Sequence, residues 1–502
     1  MELERITPEQ AGISGEKVKD CIQKLMHDKT QMHGFMAARD GKVFAEGWWT
    51  PYGPERIHCN HSLGKSYTAA AIGILYTQRK LKLEERVVDL FADELRQYGI
   101  EPDENMKKLT VYHVLTMTNG MARHPIMDAD WLKNYLAEPV VAEPGTEFLY
   151  NSSGSCLLGA IVKKKTGKGM REFLKEFLFD KIGIDGERFQ IFRFPDGYDA
   201  EPGTASVTED NLRLAILFMN YGNWNGEQII AEDWMHMAMS CQISTEPNGG
   251  TEDYRHGYGF QLWNSAIPGV YRFDGGQGQY GLIWPERKIA VAIHEGAVMP
   301  EGPQITLDVL YEYLLNEMRN EPLPENPQAD AALLEFERNL KVPEQEANTL
   351  YVPTECFSGS YAVVSGDGDP WISVAPGGYN FFTCFYHDDK KQAFTDFTLK
   401  TDEQKCVFTV DGYAVFEAYF DGKHHPVYTD NVLPEIGWNC SYARYLDEDT
   451  LQITTKWLNG WFDDRIVIKK KGDILEMTFY KDRLTVSDNR YTIKHCIAKR
   501  QQ

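Results

Sequence analysis

Two residues near the start of a predicted helix, Ser62 and Lys65, have the types and the spacing of a nucleophile with its own base. Residues three apart in a helix share one face, so the hydroxyl and the amine are expected to touch. The apolar run YTAAAIGILY that follows, residues 67–76, predicts a helix that passes through a core. A lysine there loses hydration, which lowers its pKa and lets the neutral amine accept a proton from serine.

The same four-residue pattern occurs earlier in the chain, at Ser14 and Lys17. It precedes Val18, Cys21, Ile22 and Leu25, an amphipathic spacing that predicts a surface helix. In that setting Ser14 is expected to cap the helix and Lys17 to lie in solvent. The pattern alone therefore does not identify a nucleophile, and further catalytic groups must separate the two sites.

Tyr150 is a candidate for such a group. It follows the Pro144-Gly145 turn and precedes the helical pattern LLGAIV at residues 157–162, so it is expected in a loop that enters a helix. A tyrosine can act as a base where a nearby ammonium favours the phenolate, and Lys65 would supply that charge. The structural alternative is a packed tyrosine with a satisfied hydroxyl.

A glycine-rich segment, FDGGQGQ at residues 273–279, leads into a predicted strand. Glycines there let a substrate lie against the backbone, and an amide of this segment could join the Ser62 amide in an oxyanion hole. The structural alternative is a bulge or a tight turn, which glycines in strands commonly mark.

Composition excludes several classes of function. The net charge of −22 would repel a phosphate backbone, which disfavours nucleic acids and anionic lipids as partners and favours small substrates. Nine scattered cysteines without a C-x-x-C pair suit a reducing compartment. The pair His424-His425 lies in a turn-like segment, so no metal site and no cofactor are expected. With no secretory h-region and no candidate membrane span, the sequence predicts a cytoplasmic protein.

The order of predicted elements indicates an α+β fold. Strand patterns flank Asp40-Gly41 and residues 285–288, with mostly helical periodicity between them, so the two ends of this region are expected to meet in one antiparallel sheet covered by helices. We expect a first domain at 1–318, an acidic, proline-containing linker at 319–349, and a β-rich domain at 350–502 that forms a barrel or sandwich.

Across roughly residues 5–315 the chain resembles the β-lactamase and penicillin-binding-protein-like serine hydrolases, a group that includes class C β-lactamases, D-aminopeptidases, esterases and 6-aminohexanoate-dimer hydrolases. Beyond the serine and lysine pair, the resemblance rests on collinear segments: TPEQAGIS, RDGKVFAEG, LTVYHVLTMTNGM, PGTEFLYNSSGSCLLGAIVKKKTG, FLFDKIGI, TASVTEDNLRLAILFMNYG and YGFQLW. It implies a β-lactamase/transpeptidase-like sheet with helices on both sides and a helical subdomain. The C-terminal domain resembles, by general pattern only, the lipocalin-like barrel attached to some relatives.

The resemblance also implies roles for residues. Ser62 would be the acylated nucleophile, Lys65 its proton acceptor and Tyr150 the base or proton shuttle of a Y-x-N motif, in which Ser152 replaces the asparagine. Gly276 would give the second oxyanion amide.

The strand motif that carries a cation in β-lactam-binding relatives falls here on Phe273-Asp274-Gly275, which contains no cation. This departure argues against a β-lactamase or a D-Ala-D-Ala carboxypeptidase and favours cleavage of esters, amides or small peptides. Asp274 could bind a substrate amine, or it could be a solvated acid at a strand end.

A non-catalytic ligand-binding protein on the same fold remains an alternative. Two roles stay open for the C-terminal domain, a wall of the active site or an interface for a homo-oligomer. In this domain Trp457, Trp461 and Phe462 are candidate contacts with the first domain, with burial inside the barrel as the favoured interpretation.

Overall fold

The computed structural model describes residues 2–194, 196–366, 395–410, 412, 414–429, 437–460, 463–482 and 493–501. Trp461, Phe462 and Cys384 lie outside the described residues. No disulfide links the eight cysteines within the described part of the chain.

The described strands are, in chain order, β1 (Met32–Arg39), β2 (Lys42–Trp48), β3 (His58–Cys59), β4 (Gln190–Arg193), β5 (Asp199–Ser206), β6 (Asn223–Trp224), β7 (Glu227–Gln228), β8 (Trp263–Asn264), β9 (Tyr271–Gly275), β10 (Gln279–Trp284), β11 (Ile289–Glu295), β12 (Gly359–Gly366), β13 (Asp396–Thr401), β14 (Lys405–Val410), β15 (Ala414–Tyr419), β16 (Pro426–Tyr428), β17 (Trp438–Asp447), β18 (Thr450–Trp457), β19 (Asp463–Lys471), β20 (Ile474–Asp482) and β21 (Ile493–Arg500).

The described α-helices are α1 (Gly15–Leu25), α2 (Gly64–Thr77), α3 (Val87–Leu90), α4 (Ala92–Tyr98), α5 (Val111–Leu115), α6 (Trp131–Ala137), α7 (Ser152–Thr166), α8 (Met170–Leu174), α9 (Asp180–Ile182), α10 (Thr208–Met219), α11 (Glu232–Met239), α12 (Glu301–Leu310) and α13 (Pro327–Arg338). Of the helices that the structure describes, none is both long and apolar enough to cross a membrane.

The central sheet has six strands in the order β2-β1-β11-β10-β9-β8, and every pairing is antiparallel. The first and last segments of the region thus meet where β1 pairs with β11, which confirms the α+β expectation. The turn between β1 and β2 has positive φ at Asp40 (50°) and Gly41 (77°), the conformation that a two-residue hairpin requires.

Apolar side chains on the two faces of this sheet belong to two different cores. Met36 and Ala292 face a core shared with α2 and α10, whereas Phe35 and Ile293 face a core shared with α1 and α12. Alternate residues of a strand point to opposite faces, so strands covered on both sides read as almost continuous apolar runs. Helices therefore cover both faces of the sheet.

A second, small sheet holds the chain just before Ser62. Its strand order is β3-β5-β4, with His58 opposite Ser206 and Cys59 opposite Ala205. The sequence did not predict these strands, because β5 has the sequence DAEPGTAS, whose proline and glycine disfavour a strand.

The C-terminal strands β12–β15 and β17–β21 form a closed barrel. Successive neighbours pair antiparallel, and a parallel pairing of Ala418 with Ser441 and of Tyr419 with Tyr442 joins β15 to β17 and closes a ring of nine described strands. Its interior is apolar and includes Trp457, whose indole donates to Asp464 Oδ2 at 2.7 Å. Burial inside the barrel is thus confirmed for Trp457.

Candidate active site

Ser62 lies in a single turn of 3-10 helix that leads directly into α2, and Lys65 is the second residue of α2. The lysine Nζ donates a hydrogen bond of 2.7 Å to Ser62 Oγ. Helix α2 is buried around nearly its whole circumference, and Lys65 is only 1% exposed. The structure thus brings the two residues together as the sequence predicted.

The earlier pair, Ser14 and Lys17, lies at the start of a different helix and does not form a contact of this kind. Ser14 caps α1 by accepting from the Lys17 amide at 3.3 Å, and Lys17 Nζ extends to a partly exposed ion pair with Glu317 at 3.2 Å. The predicted N-cap is confirmed, and the Ser14 hydroxyl is occupied by the helix backbone.

Asn60, two residues before Ser62, anchors this segment in a buried polar network. Its side-chain amide donates to Thr204 Oγ1 (3.2 Å) and Ser206 Oγ (3.0 Å), and its Oδ1 accepts from Asn211 Nδ2 (2.9 Å). Its backbone amide donates to Thr204 O at 2.8 Å. Buried polar groups that are fully paired fix one geometry, so the chain entering Ser62 has a defined position.

Strand β9 ends against the same segment, and a glycine makes this possible. A Cβ on Gly275 would lie 2.2 Å from Asn60 O, closer than any real contact, so only glycine permits this approach. At Gly276 a Cβ would lie 3.9 Å from the nearest atom, Cγ of His61. Gly275 and Gly276 therefore lie beside Asn60 and His61, the two residues that lead into Ser62.

Tyr150 lies in the loop before α7, next to the Asn151 side chain that caps this helix. Lys65 Nζ is 5.0 Å from the centroid of its ring, and the ring stacks on Trp263 at 5.8 Å between centroids. Burial raises the pKa of the Tyr150 hydroxyl, a hydrogen bond with Ser62 opposes this effect, and the charge of Asp274 adds to it. The resting site therefore holds a protonated phenol rather than a phenolate.

Asp274 is paired inside the protein. Its Oδ2 accepts from Arg272 Nε at 2.8 Å, its Oδ1 accepts from the Tyr254 hydroxyl at 2.9 Å, and the residue is 7% exposed. The fully buried Arg272 also forms an ion pair of 3.5 Å with Asp253. Burial raises the pKa of Asp274, and the guanidinium of Arg272 opposes that effect. The interpretation of Asp274 as a solvated acid at a strand end is therefore wrong, because the side chain is buried and paired.

The position that holds a cation in β-lactam-binding relatives is occupied by Phe273. This side chain is fully buried and packs edge-on against Phe218 of α10, with 5.0 Å between ring centroids. It therefore points into the core rather than toward Ser62.

Ser152 begins α7, and its backbone amide donates to His124 Nε2 at 2.8 Å. His124, which the sequence did not indicate, has Nδ1 at 2.8 Å from Pro125 O. Since Nε2 accepts from Ser152, the proton is assigned to Nδ1. Desolvation lowers the pKa of His124, and the charge of Lys65 adds to this effect.

An aromatic cluster forms one side of the site next to Tyr150. Trp263 lies 4.9 Å from Tyr258 and 5.6 Å from Phe148 between ring centroids, and Tyr254 lies 4.7 Å from Trp263. These residues come from two separate loops and from β8. Together they form an apolar wall with the Tyr150 ring at its edge.

Comparison with known proteins identifies the family of this chain. Residues 18–295, more than half of the chain, match the family described as Beta-lactamase, so the chain belongs to the β-lactamase family. It is 30% identical over 306 residues to penicillin-binding protein 4 of Amycolatopsis lactamdurans, a match that covers 53% of this chain and 77% of that protein. Membership in this family supports a serine hydrolase in general.

Two solved structures share the fold over 62% of the chain. One is a penicillin-binding protein homolog from Caulobacter crescentus, with 15% identity, a TM-score of 0.50 and coverage of 62% of this chain and 100% of that one. The other is a family VIII carboxylesterase, with 16% identity, a TM-score of 0.50 and the same coverage of both chains.

Proposed function

We propose that this protein is a serine hydrolase that cleaves esters, amides or small peptides through an acyl-Ser62 intermediate. The observation that carries the proposal is the hydrogen bond of 2.7 Å between Lys65 Nζ and Ser62 Oγ in a site where Lys65 is almost completely buried. This contact places the Lys65 amine where it can take the serine proton during attack. Family membership supports the same class of enzyme.

In the proposed reaction, Ser62 Oγ attacks the substrate carbonyl as Lys65 takes the serine proton. The backbone amides of Ser62 and Gly276 stabilise the oxyanion. Tyr150, protonated at rest, gives its proton to the leaving alcohol or amine and regains one from Lys65. Water then attacks the acyl-enzyme by the reverse route, which releases the acid and restores Ser62. No metal and no cofactor take part in these steps.

The substrate class follows from the groups around the nucleophile. Phe273 leaves no cation for a substrate carboxylate, and Asp274 is already paired with Arg272. The aromatic cluster beside Tyr150 instead offers an apolar surface. We therefore propose substrates with an uncharged, apolar group next to the scissile bond.

A second candidate is a penicillin-binding or β-lactam-hydrolysing role, because the relative from Amycolatopsis lactamdurans carries that name. A fluorescent penicillin distinguishes the two proposals. The ester and amide proposal predicts turnover of short-chain nitrophenyl esters with little penicillin adduct at Ser62. A stable or rapidly hydrolysed adduct would favour the second candidate.

The central test is labelling with a serine-directed fluorophosphonate, followed by peptide mass spectrometry. We expect the adduct on Ser62, no labelling of Ser62→Ala, and labelling slowed at least ~100-fold in Lys65→Met and Tyr150→Phe, the usual effect of losing a positioned acid or base. Wild-type protein that neither forms an adduct nor turns over esters would instead support a ligand-binding protein on this fold.

We also propose the division into a hydrolase domain at 1–318, a linker at 319–349 and a barrel domain at 350–502. Homo-oligomerisation through the barrel remains a further proposal, which light scattering of the purified chain would test.

A further inference from the structure

Residues 458–460, which follow β18 of the barrel, lie against β3, the strand that leads to Ser62. Cys59 of β3 donates its backbone amide to Asn459 O at 2.9 Å. In the opposite direction, Asn459 Nδ2 donates to Ile57 O at 2.7 Å. Asn459 is 3% exposed, so both hydrogen bonds are shielded from water.

These contacts give β3 a partner on each edge. One edge pairs with β5, where Cys59 is opposite Ala205, and the other is bonded to Asn459 of the barrel. A two-residue strand has few hydrogen bonds of its own, so the two bonds with Asn459 add to those that β5 supplies. Consistent with this position, the Cys59 side chain belongs to the apolar core of the barrel.

A second connection from the barrel reaches the same strand. Lys456 Nζ of β18 donates to Gln31 Oε1 at 3.2 Å, and Gln31 Oε1 lies 3.3 Å from His33 Nε2. His33 Nδ1 is 2.9 Å from His58 Nε2, and His58 stacks on His294 with 4.6 Å between centroids. This polar chain crosses from the barrel to the residue that begins β3.

The network continues to Asn60, whose Oδ1 is 3.0 Å from His294 Nε2. Between Asn60 and Ser62 only His61 intervenes, and it is held at a φ of 51°. We therefore expect a displacement of β3 to move Ser62 Oγ as well. Misplacing a reacting group by about 1 Å can cost ~100-fold in rate.

We propose that the turn at Asn459 positions Ser62. Full activity of the hydrolase then depends on the barrel. Asn459 is a positioning residue, because it acts through Ile57 and Cys59 and does not touch the substrate. The inference rests on the proposed acyl transfer at Ser62.

The test compares Asn459→Asp with Asn459→Ala. Asn459 Oδ1 accepts from Trp438 N at 3.2 Å, a contact inside the barrel, whereas Nδ2 donates to Ile57 O. The aspartate keeps the acceptor for Trp438 but loses the donor to Ile57. If Asn459 positions β3, both variants should lower kcat 10- to 100-fold with KM within about threefold, and both should slow fluorophosphonate labelling of Ser62 by a similar factor.

Asn348→Ala is the matched control. Asn348 also makes two side-chain hydrogen bonds, to Leu350 O at 2.8 Å and from Tyr445 N at 3.0 Å, but these lie away from β3. Asn348→Ala should change the thermal stability by about as much as the Asn459 variants do, but its kcat should equal that of the wild type. If Asn459→Asp retains wild-type kcat, or if Asn348→Ala loses as much activity, the inference is overturned.

Hydrogen exchange separates this inference from the proposed function, because it does not require activity. Peptides that contain residues 57–63 should exchange faster in both Asn459 variants, with unchanged exchange in Asn348→Ala. If these peptides exchange at the wild-type rate in the Asn459 variants, the inference is overturned, whatever the activity of the variants. Absence of a Ser62 adduct in the wild type, with the exchange result intact, would refute the proposed function and leave the barrel as a support of β3.

Discussion

Gly275 provides the sharpest test of how the site is assembled. An alanine Cβ at this position would lie 2.2 Å from Asn60 O and 2.8 Å from Gln279 Cβ. Ordinary contacts of a Cβ begin near 3.4 Å, so Asn60 and β9 would have to separate by about 1 Å. We expect Gly275→Ala to lower the free energy of unfolding by about 1–3 kcal/mol, the usual cost of overpacking. Because Gly276 moves away from Ser62, we expect a loss of ~100-fold in kcat/KM.

Two other glycines serve as controls. Gly276→Ala adds a Cβ at an ordinary distance of 3.9 Å from His61, so its unfolding free energy should stay close to that of the wild type. Gly53→Ala adds a Cβ in open space and should change neither stability nor ester turnover. Stability is measured by urea unfolding and activity with a nitrophenyl ester. Wild-type kcat/KM and stability in Gly275→Ala would refute the argument that β9 and Asn60 define the oxyanion site.

Two further predictions concern residues outside the proposed chemistry. Ser14→Ala should lower the unfolding free energy by about 1 kcal/mol through loss of the cap on α1, with unchanged ester turnover, and a loss of turnover would contradict the choice of Ser62. Burial lowers the pKa of His58 to about 4 from an ordinary value of 6.5, so the unfolded chain binds the proton more tightly than the folded one. The neutral imidazole should therefore contribute its full stability above pH 6.5 and lose about 3 kcal/mol as the pH falls toward 4. Urea unfolding at pH 7.5 and 4.5 should show a smaller fall in His58→Gln, and an equal fall would contradict the assignment.

The parts of the fold that the sequence predicted are those with a local signal. Residues Asp40 and Gly41 mark a hairpin because both adopt positive φ, and the spacing from Ser62 to Lys65 places two side chains on one helix face. The strand β5 had no such signal, since its proline and glycine disfavour extended structure. It forms because pairing with β3 and β4 outweighs that preference.

The environment of Asp274 could not be predicted, because its partners come from different parts of the chain. Arg272 lies on the same strand, but Tyr254 comes from the preceding loop, and Asp253 completes the pairing of Arg272. A motif identifies the position of Asp274, but it does not show which charged side chains pack against this residue in the fold. His124 was missed for the same reason, since only the folded loop brings it to the start of α7.

The raised pKa of Tyr150 decides how protons are assigned in the proposed site. A phenolate could accept the serine proton directly, but burial and the charge of Asp274 both favour the neutral phenol. In the proposed reaction Lys65 Nζ, which lies 2.7 Å from Ser62 Oγ, therefore takes the serine proton. The tyrosine then has a proton ready for the leaving group, where a phenolate would have none. The acid at Asp274 thus favours the protonated form of Tyr150 without contacting the reacting atoms, and its pairing with Arg272 keeps that carboxylate in place.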